Sequence, residues 1–187
     1  MGFFISLKMA KKGFIHIYTG DGKGKTTASL GLAVRAAGQG WRVLFVQFFK
    51  EDSASSGEKV FLDRAGDPNI ELVRSNCRHP MFTGPGTDME AVKKALNRTF
   101  ELARKRVAGG GVDLLVMDEV MSAVNSGWIS LEGLREFLLT RPEGLEVVLT
   151  GRDAPPDLVM IADYVTEMLK IKHPFDRGVI ARKGIEF

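Results

Sequence analysis

Short apolar runs recur along the chain, and most are followed by a turn and a longer segment of helical periodicity. Runs that are apolar at nearly every position predict strands buried on both faces, here over 13–18, 42–49, 70–73, 112–117, 145–149 and 164–171. Apolar residues spaced three or four positions apart predict helices over 25–38, 58–64, 88–108, 130–139 and 155–162. This alternation predicts an α/β fold with a mostly parallel central sheet covered by helices on both faces.

The pattern also predicts how the chain is divided. Residues 1–12 form an expected N-terminal extension, and residues 13–187 form an expected single domain, because no repeat or linker interrupts them. A polar, serine-rich loop is predicted over 51–57. A second loop over 75–88 is rich in proline and glycine, and loops of that length are more often functional than idle.

Composition and charge narrow the choice of function. The chain is 44% hydrophobic and 26% charged with a net charge of +3, which suits an anionic ligand but lacks the clustered basic residues of a nucleic-acid-binding protein. A single cysteine, Cys77, excludes an internal disulfide and fits a reducing compartment. No stretch approaches the roughly 18 apolar residues of a membrane span. The start of the chain lacks the order of a signal peptide, so the cytoplasm is the expected location.

A glycine-rich loop at residues 19–27, Thr-Gly-Asp-Gly-Lys-Gly-Lys-Thr-Thr, joins the first predicted strand to the first predicted helix. It is a variant of G-x-x-x-x-G-K-[ST], with Thr19 in the first position. Its glycines let backbone N–H groups turn toward phosphate oxygens, and the helix that follows directs its positive end to the same point. Lys25 adds a charge, and the Thr26 hydroxyl is a ligand for Mg²⁺. The alternative is a glycine-rich turn with incidental lysines, but the flanking strand and helix favour a phosphate loop.

An apolar run at residues 114–117 ends in two acids, Asp118 and Glu119. An acid at the carboxyl end of a parallel strand lies beside a phosphate loop, where it binds Mg²⁺ directly or through water. Such a run can equally be a strand that meets solvent, but the loop upstream favours the metal site. If the strand continued through both acids, their side chains would point to opposite faces, so one would be the better ligand.

Further motifs occur in a fixed order around these two. The loop has an extra lysine, Lys23, and the C-terminal region contains the runs Lys-His-Pro-Phe-Asp-Arg-Gly at 172–178 and Ala-Arg-Lys-Gly-Ile-Glu-Phe at 181–187. Between them lie the runs at 46–48, 118–119, 150–152 and 162–168. This set, over residues 14–187, resembles the ATP:cob(I)alamin adenosyltransferases of the P-loop (RecA-like) type.

The resemblance implies a three-layer P-loop NTPase (RecA-like) fold and a specific reaction. Enzymes of this family transfer the 5′-deoxyadenosyl group of ATP to Co(I) of cobalamin, cob(I)yrinic acid a,c-diamide or a related corrinoid, in synthesis or salvage, and release triphosphate. They use Mg²⁺ or Mn²⁺ and bind ATP in the reverse direction from hydrolases. The resemblance also implies a homodimer and a flavoprotein that reduces the corrinoid, without nucleic-acid or membrane partners.

The resemblance also assigns roles to single residues. Lys23 and Lys25 are the expected catalytic residues, because they stabilise charge on the leaving triphosphate. The expected metal ligands are Thr26, Asp118 and Glu119. The expected ATP-binding residues are Thr19, Gly20, Asp21, Gly22, Lys23, Gly24, Lys25, Thr26, Thr27 and Arg35, although Arg35 also reads as an ordinary surface arginine.

The expected corrinoid contact is Phe82, with a core aromatic as the alternative. It begins the run Phe82-Thr83-Gly84, where well-known members have Phe-Thr-Trp. The tryptophan is therefore absent. Its absence affects the expected corrinoid preference and the expected efficiency of cobalt reduction.

Two other functions compete with this one. A P-loop NTPase or kinase acting at the γ-phosphate would share the loop and the acidic strand. A RecA-like nucleic-acid-binding ATPase would share the fold, but the chain lacks the basic and aromatic patches that such a protein uses.

Overall fold

The computed structural model describes residues 12–84 and 86–187, so the expected N-terminal extension lies outside the described residues except for Lys12. The described residues form one sheet of six strands, all paired in parallel, in the order β3-β2-β4-β5-β1-β6. The strands are β1 Ile15–Thr19, β2 Val43–Gln47, β3 Ile70–Arg74, β4 Leu114–Asp118, β5 Glu146–Thr150 and β6 Tyr164–Glu167.

Helices connect the strands and cover both faces of the sheet. They are α1 Lys25–Ala37, α2 Gly57–Ala65, α3 Met89–Ala108, α4 Val120–Asn125, α5 Leu131–Thr140 and α6 Pro156–Val159, with 3₁₀ turns at Pro80–Phe82 and Pro174–Arg177. None of the described helices is long and apolar enough to cross a membrane.

The core has two halves, one on each side of the sheet. On one side, small residues of α1, including Ala33 and Ala37, pack on Phe45 and Val116. On the other side, apolar residues of α3, α4 and α5 pack on the alternate residues of the same strands. The central strands β2 and β4 are buried at every position, as strands covered on both faces must be. The three-layer α/β architecture expected from the sequence is therefore confirmed.

Three elements differ from the sequence prediction. The short helix α4 was not predicted, because its six residues are too few to establish a helical period in the sequence. The last strand ends at Glu167 rather than at residue 171, because the next residue, Met168, turns onto the glycine-rich loop and accepts a bond from Gly22 N. The predicted helix over 155–162 is only the four residues of α6.

The parallel sheet decides where a ligand can bind. Because all strands run the same way, the segments that follow β1, β2, β4 and β5 meet at one edge, beyond the carboxyl ends. Strand β5 lies between β1 and β4, so the glycine-rich loop after β1 and the acids that end β4 face each other across one strand.

Candidate functional site

The glycine-rich loop needs glycine for two different reasons. Gly20 and Gly24 have φ angles of 93° and 121°, which L side chains rarely adopt. Gly22 is required by space, because a Cβ there would lie 2.5 Å from the carbonyl oxygen of Met168. Gly22 N donates to that oxygen at 2.6 Å, so the chain after β6 closes one side of the loop.

Lys25 is the first residue of α1, and its side chain turns back into the loop. Its Nζ donates to the carbonyl oxygens of Gly20 at 2.6 Å and Gly22 at 2.8 Å, and the residue is only 8% exposed. Burial lowers the pKa of the Lys25 ammonium, while the nearby carboxylate of Glu119 opposes that shift. The ammonium is therefore fixed at the N-terminus of α1, where the loop amides and the helix dipole also favour the binding of an anion.

Asp118 ends β4 and is held in place by hydroxyl groups. Its Oδ1 accepts from Thr26 Oγ1 at 2.9 Å and from Thr150 Oγ1 at 2.7 Å. The residue is 1% exposed, and burial raises the pKa of its carboxyl to about 6, against the effect of the Thr150 hydrogen bond. The acid that ends β4 therefore lies beside the glycine-rich loop and is hydrogen-bonded directly to Thr26.

Two buried polar residues support Asp118 from neighbouring strands, and the sequence analysis did not identify either as functional. Gln47, at the end of β2, donates from Nε2 to Asp118 Oδ2 at 3.3 Å and to Glu58 Oε1 at 3.2 Å. Arg74, at the end of β3, donates from Nε to Gln47 Oε1 at 3.0 Å and from Nη1 to the carbonyl oxygen of Ala54 at 2.8 Å. In the sequence, each of these residues is a polar residue at the end of a strand, and that position could have indicated a role in the site. In the sheet, Gln47 is the register partner of both Arg74 and Asp118.

Glu119 leaves the strand instead of continuing it. Its φ of 62° is in the left-handed region, and the residue lies at the start of α4. Its backbone N donates to Thr150 Oγ1 at 2.9 Å, and its Oε2 accepts from Ser122 Oγ at 2.9 Å. Because β4 ends at Asp118, the two acids do not alternate across the sheet. Asp118 is buried beneath Thr26, and Glu119 lines the open cavity above the loop.

That cavity has a volume of about 550 Å³ and lies directly over the loop. Most of the predicted loop lines it, together with residues from the C-terminal region and from the segment before α2. The lining residues that the sequence analysis did not assign to the site include Lys50, Glu58, Arg152, His173, Ile185, Glu186 and Phe187. The C-terminal run of family motifs therefore meets the loop at one cavity.

Five expected site residues do not line this cavity. Two of them, Gly20 and Asp118, are hydrogen-bonded to the lining residues Lys25 and Thr26, and the other three are Thr19, Arg35 and Phe82. Thr19 lies at the end of β1, and its Oγ1 accepts from Ala154 N at 3.2 Å. Arg35 is in the last turn of α1 and lines a separate cavity of about 220 Å³ with Trp41 and Glu146. Phe82 is 76% exposed in a 3₁₀ turn, with its ring 6.1 Å from that of His79.

The donors beside the loop suit a hard cation. A threonine hydroxyl and the carboxylates of Asp118 and Glu119 offer oxygen atoms only. In residues 12–84 and 86–187, no group of three or more His, Cys, Asp or Glu side chains is arranged to hold a metal ion without other ligands. Mg²⁺ is commonly bound by one or two carboxylates together with substrate phosphates and water, and the hydroxyl and carboxylates beside the loop match that set of donors.

A parallel sheet with a lysine-bearing glycine loop between β1 and α1, faced by an acidic strand end, defines a P-loop nucleotide-binding protein. Residues 11–187 match the sequence model of one family in this class, described as ATP:corrinoid adenosyltransferase BtuR/CobO/CobP. The chain belongs to this ATP:corrinoid adenosyltransferase family.

Curated relatives agree with this assignment. Corrinoid adenosyltransferases of Pseudomonas aeruginosa and Escherichia coli K12 are each 34% identical over 177 residues, which is 95% of this chain and 85% and 87% of the relatives. The corrinoid adenosyltransferase CobA of Salmonella typhimurium has the same identity, 34%, over 95% of this chain and 87% of its own length. The resemblance found in the sequence is thus confirmed, and none of these relatives is named as an enzyme acting at the γ-phosphate.

Proposed function

We propose that the protein is a corrinoid adenosyltransferase, which moves the 5′-deoxyadenosyl group of ATP to Co(I) of a corrinoid and releases triphosphate. The observation that carries this proposal is the convergence of the loop, the acidic strand end and the C-terminal family motifs on one cavity, in a chain of this family. A cavity of about 550 Å³ is within the usual range for small-molecule ligands.

The reaction is a nucleophilic displacement at C5′ of ATP. The electron pair of Co(I) forms the cobalt–carbon bond while the bond between C5′ and the triphosphate oxygen breaks. That bonding pair leaves on the triphosphate, and the cobalt becomes formally Co(III). Because Co(I) is already a strong nucleophile, no catalytic base is required. The protein has to align the two reactants and stabilise the charge that grows on the leaving group.

The loop residues fit this task. Lys25 holds its ammonium inside the loop, and Lys23 is exposed on the rim of the same cavity. Triphosphate in the loop would be bound by the backbone amides and by both lysines. Thr27 and Asp21 also line the cavity, and Asp21 lies 3.6 Å from Arg152 in an ion pair. We propose that Lys23 and Lys25 neutralise the charge of the departing triphosphate.

A divalent metal completes the proposed site. Thr26, Asp118 and Glu119 would hold Mg²⁺ or Mn²⁺ beside the triphosphate, where the ion supplies positive charge. We expect that EDTA in excess abolishes adenosyl transfer and that added Mg²⁺ or Mn²⁺ restores it. Full activity after exhaustive chelation would contradict the metal requirement.

Three expected site residues outside the cavity, Thr19, Arg35 and Phe82, would contribute to the site without lining the cavity. Thr19 fixes the start of the loop through its bond to Ala154 N. Arg35 supports the site indirectly, because its charge near the C-terminal end of α1 complements the dipole of the helix that carries the loop. Phe82 offers an exposed ring for contact with the corrinoid.

Partners and location are also proposals. A homodimer is supported by the exposed apolar residues of the edge strand β6, Tyr164 and Val165. A flavoprotein reductant would supply Co(I), as the resemblance to this family implies. A single half-buried cysteine and the use of ATP favour the cytoplasm.

One assay tests the central proposal. The purified protein is incubated with ATP, Mg²⁺ and chemically reduced cobalamin, and both the cobalt–carbon absorbance and the phosphate products are followed. We expect adenosylcobalamin and intact triphosphate in equal amounts. Release of inorganic phosphate that does not depend on the corrinoid would instead identify an enzyme acting at the γ-phosphate.

A further inference from the structure

Arg74, the last residue of β3, carries a guanidinium that is buried next to the nucleotide cavity but is not part of its lining. The side chain is only 1% exposed. Its Nη2 lies 3.9 Å from Oε1 of Glu58, which does line the cavity. A buried charge is costly unless hydrogen bonds compensate for it, so an arginine in this position depends on the acceptors around it.

The terminal nitrogens of Arg74 bind the serine-rich loop that joins β2 to α2. Nη1 donates to the carbonyl oxygens of Glu51 at 3.1 Å and Ala54 at 2.8 Å, and Nη2 donates to Ser56 Oγ at 2.5 Å. Because a guanidinium is planar and its donors form a rigid fork, these acceptors also fix the direction of its Nε–H. The loop therefore holds the arginine in one orientation, with Nε directed at β2.

The Nε–H of Arg74 determines how the Gln47 side chain is placed. Nε donates to Gln47 Oε1 at 3.0 Å, so the amide oxygen faces the arginine. The amide nitrogen then faces the other way, where it donates to Asp118 Oδ2 at 3.3 Å and to Glu58 Oε1 at 3.2 Å. Gln47 is 0% exposed, so bulk water does not compete for these bonds.

This chain of contacts ends at the proposed metal site. Thr26 and Thr150 donate to Oδ1 of Asp118. Gln47 donates to Oδ2, so both carboxylate oxygens are held. Without the Gln47 bond, the carboxylate would be held on one side only. Loss of a group that orients a metal ligand commonly lowers metal affinity by about 10–100-fold.

We propose that Arg74 is a positioning residue of the metal site, which fixes the Gln47 amide and through it the carboxylate of Asp118. The inference rests on the proposed function, because it requires that Asp118 acts on a divalent metal beside the triphosphate. It extends the site to β3, the strand at the edge of the sheet.

The test is a binding measurement that requires neither corrinoid nor turnover. Isothermal titration calorimetry gives the Kd of ATP with EDTA and with Mg²⁺ in excess, and the ratio of the first Kd to the second measures the contribution of the metal. Arg74→Lys retains the charge but not the planar fork. We expect it to lower this ratio by about tenfold, while the Kd in EDTA stays within about twofold of wild type.

Two further variants show whether Arg74 acts through Gln47. Gln47→Met removes the link and leaves the bonds between Arg74 and the loop, so it should also lower the ratio by about tenfold. The double variant Arg74→Lys/Gln47→Met should lose no more than Gln47→Met alone, because residues in one network of hydrogen bonds are not additive. Losses that add would show that Arg74 acts by another route and would overturn the inference.

Arg141→Lys is the matched control for effects on stability alone. Arg141 also donates to three backbone carbonyl oxygens, those of Gly13, Leu138 and Leu145. Gly13 and Leu145 precede β1 and β5, so they lie at the opposite edge of the sheet from the cavity. Both lysine variants should unfold at a lower temperature in circular dichroism, whereas only Arg74→Lys should lower the Mg²⁺ ratio. An equal fall of the ratio in both would overturn the inference.

The remaining outcomes separate this inference from the proposed function. A wild-type protein that forms no adenosylcobalamin would overturn the proposed function. A wild-type ratio near one would overturn the metal site and this inference with it. A Mg²⁺-dependent wild-type enzyme in which neither Arg74→Lys nor Gln47→Met changes the ratio would overturn the inference alone.

Discussion

Lys25 is only 8% exposed, and it carries a positive charge to the floor of the open cavity over the loop. In the described structure its ammonium donates to two loop carbonyls and forms no ion pair with a carboxylate. A carbonyl group gives up a hydrogen bond at lower cost than a carboxylate, because no net charge has to be separated. The ammonium is therefore available to triphosphate without first breaking a salt bridge.

Replacement of Lys25 by alanine should remove this charge while the fold is retained. We expect kcat/KM for ATP to fall by roughly 10²–10³, the usual cost of losing one group that stabilises developing charge. The measurement is adenosyl transfer at varied ATP, with circular dichroism to confirm the fold. Lys94→Ala, on the exposed face of α3, serves as the control. A kcat/KM within twofold of wild type would refute the role of Lys25.

Asp118 gives a second prediction at this scale, because its carboxylate is held by Thr26, Thr150 and Gln47. Asp118→Asn keeps the shape of the side chain but removes its charge. We expect the Mg²⁺ concentration for half-maximal activity to rise about tenfold or more, as for other changes to groups that orient a metal site. The matched control is Glu132→Gln, an exposed acid of α5. An unchanged Mg²⁺ requirement would exclude Asp118 from the metal site.

Among the elements, the strands were the easiest to predict from sequence. The central strands are apolar at nearly every position because helices cover both of their faces, and burial of that kind has a clear sequence pattern. Helix α4 was not predictable in this way, because its six residues are too few to establish a helical period and it begins at a residue with a left-handed backbone. The end of β6 is decided by packing against the loop, which local sequence does not encode.

The site likewise has a part that the sequence predicts, which is local, and a part that it does not predict, which depends on residues distant in sequence. The loop at 19–27 is one continuous segment, so its motif identified it. The partners of Asp118 come from strands that are far apart in sequence, and Gln47 is 71 positions away. That contact depends on the order of the strands in the sheet, which the spacing of motifs alone does not determine.

The packing of the loop on the segment after β6 gives a prediction about these elements. Gly22→Ala places a Cβ against the carbonyl oxygen of Met168, so we expect a displaced loop and a rise in KM for ATP of about tenfold or more. Gly31→Ala is the matched control, since a Cβ at this position in α1 meets nothing within 4 Å. It should instead stabilise the fold by about 0.5–1 kcal/mol. Equal ATP affinity in both variants would contradict the packing argument.

At the scale of the whole molecule, the helices of residues 12–84 and 86–187 leave the β6 edge of the sheet exposed. All four residues of β6 are exposed, including Tyr164 and Val165 at 52% and 45%. An apolar edge strand of this kind is normally covered, because its unpaired backbone groups readily pair with another chain. The open edge therefore supports the proposed homodimer.

A substitution at this edge tests the proposal. We expect the wild-type protein to have twice the monomer mass in light scattering, and Val165→Lys to shift it toward the monomer, because a buried lysine at the interface is costly. Lys94→Gln serves as a control away from the edge. A monomeric wild-type protein at micromolar concentration would contradict the dimer, and a dimeric Val165→Lys protein would place the interface elsewhere.

The pairing of β1 with β6 also has a consequence for how the protein is made. Ile15 N donates to the Asp163 side chain across 148 positions of sequence, and the same closing segment packs on the phosphate loop. At translation rates of about 5–20 residues per second, the ribosome needs roughly 7–30 s to produce the chain between these two residues. The nascent polypeptide therefore carries its loop for that time without the residues that shape it. Nucleotide binding should begin only after the segment around Met168 has been made, so ATP acts on the assembled sheet and does not guide its early stages.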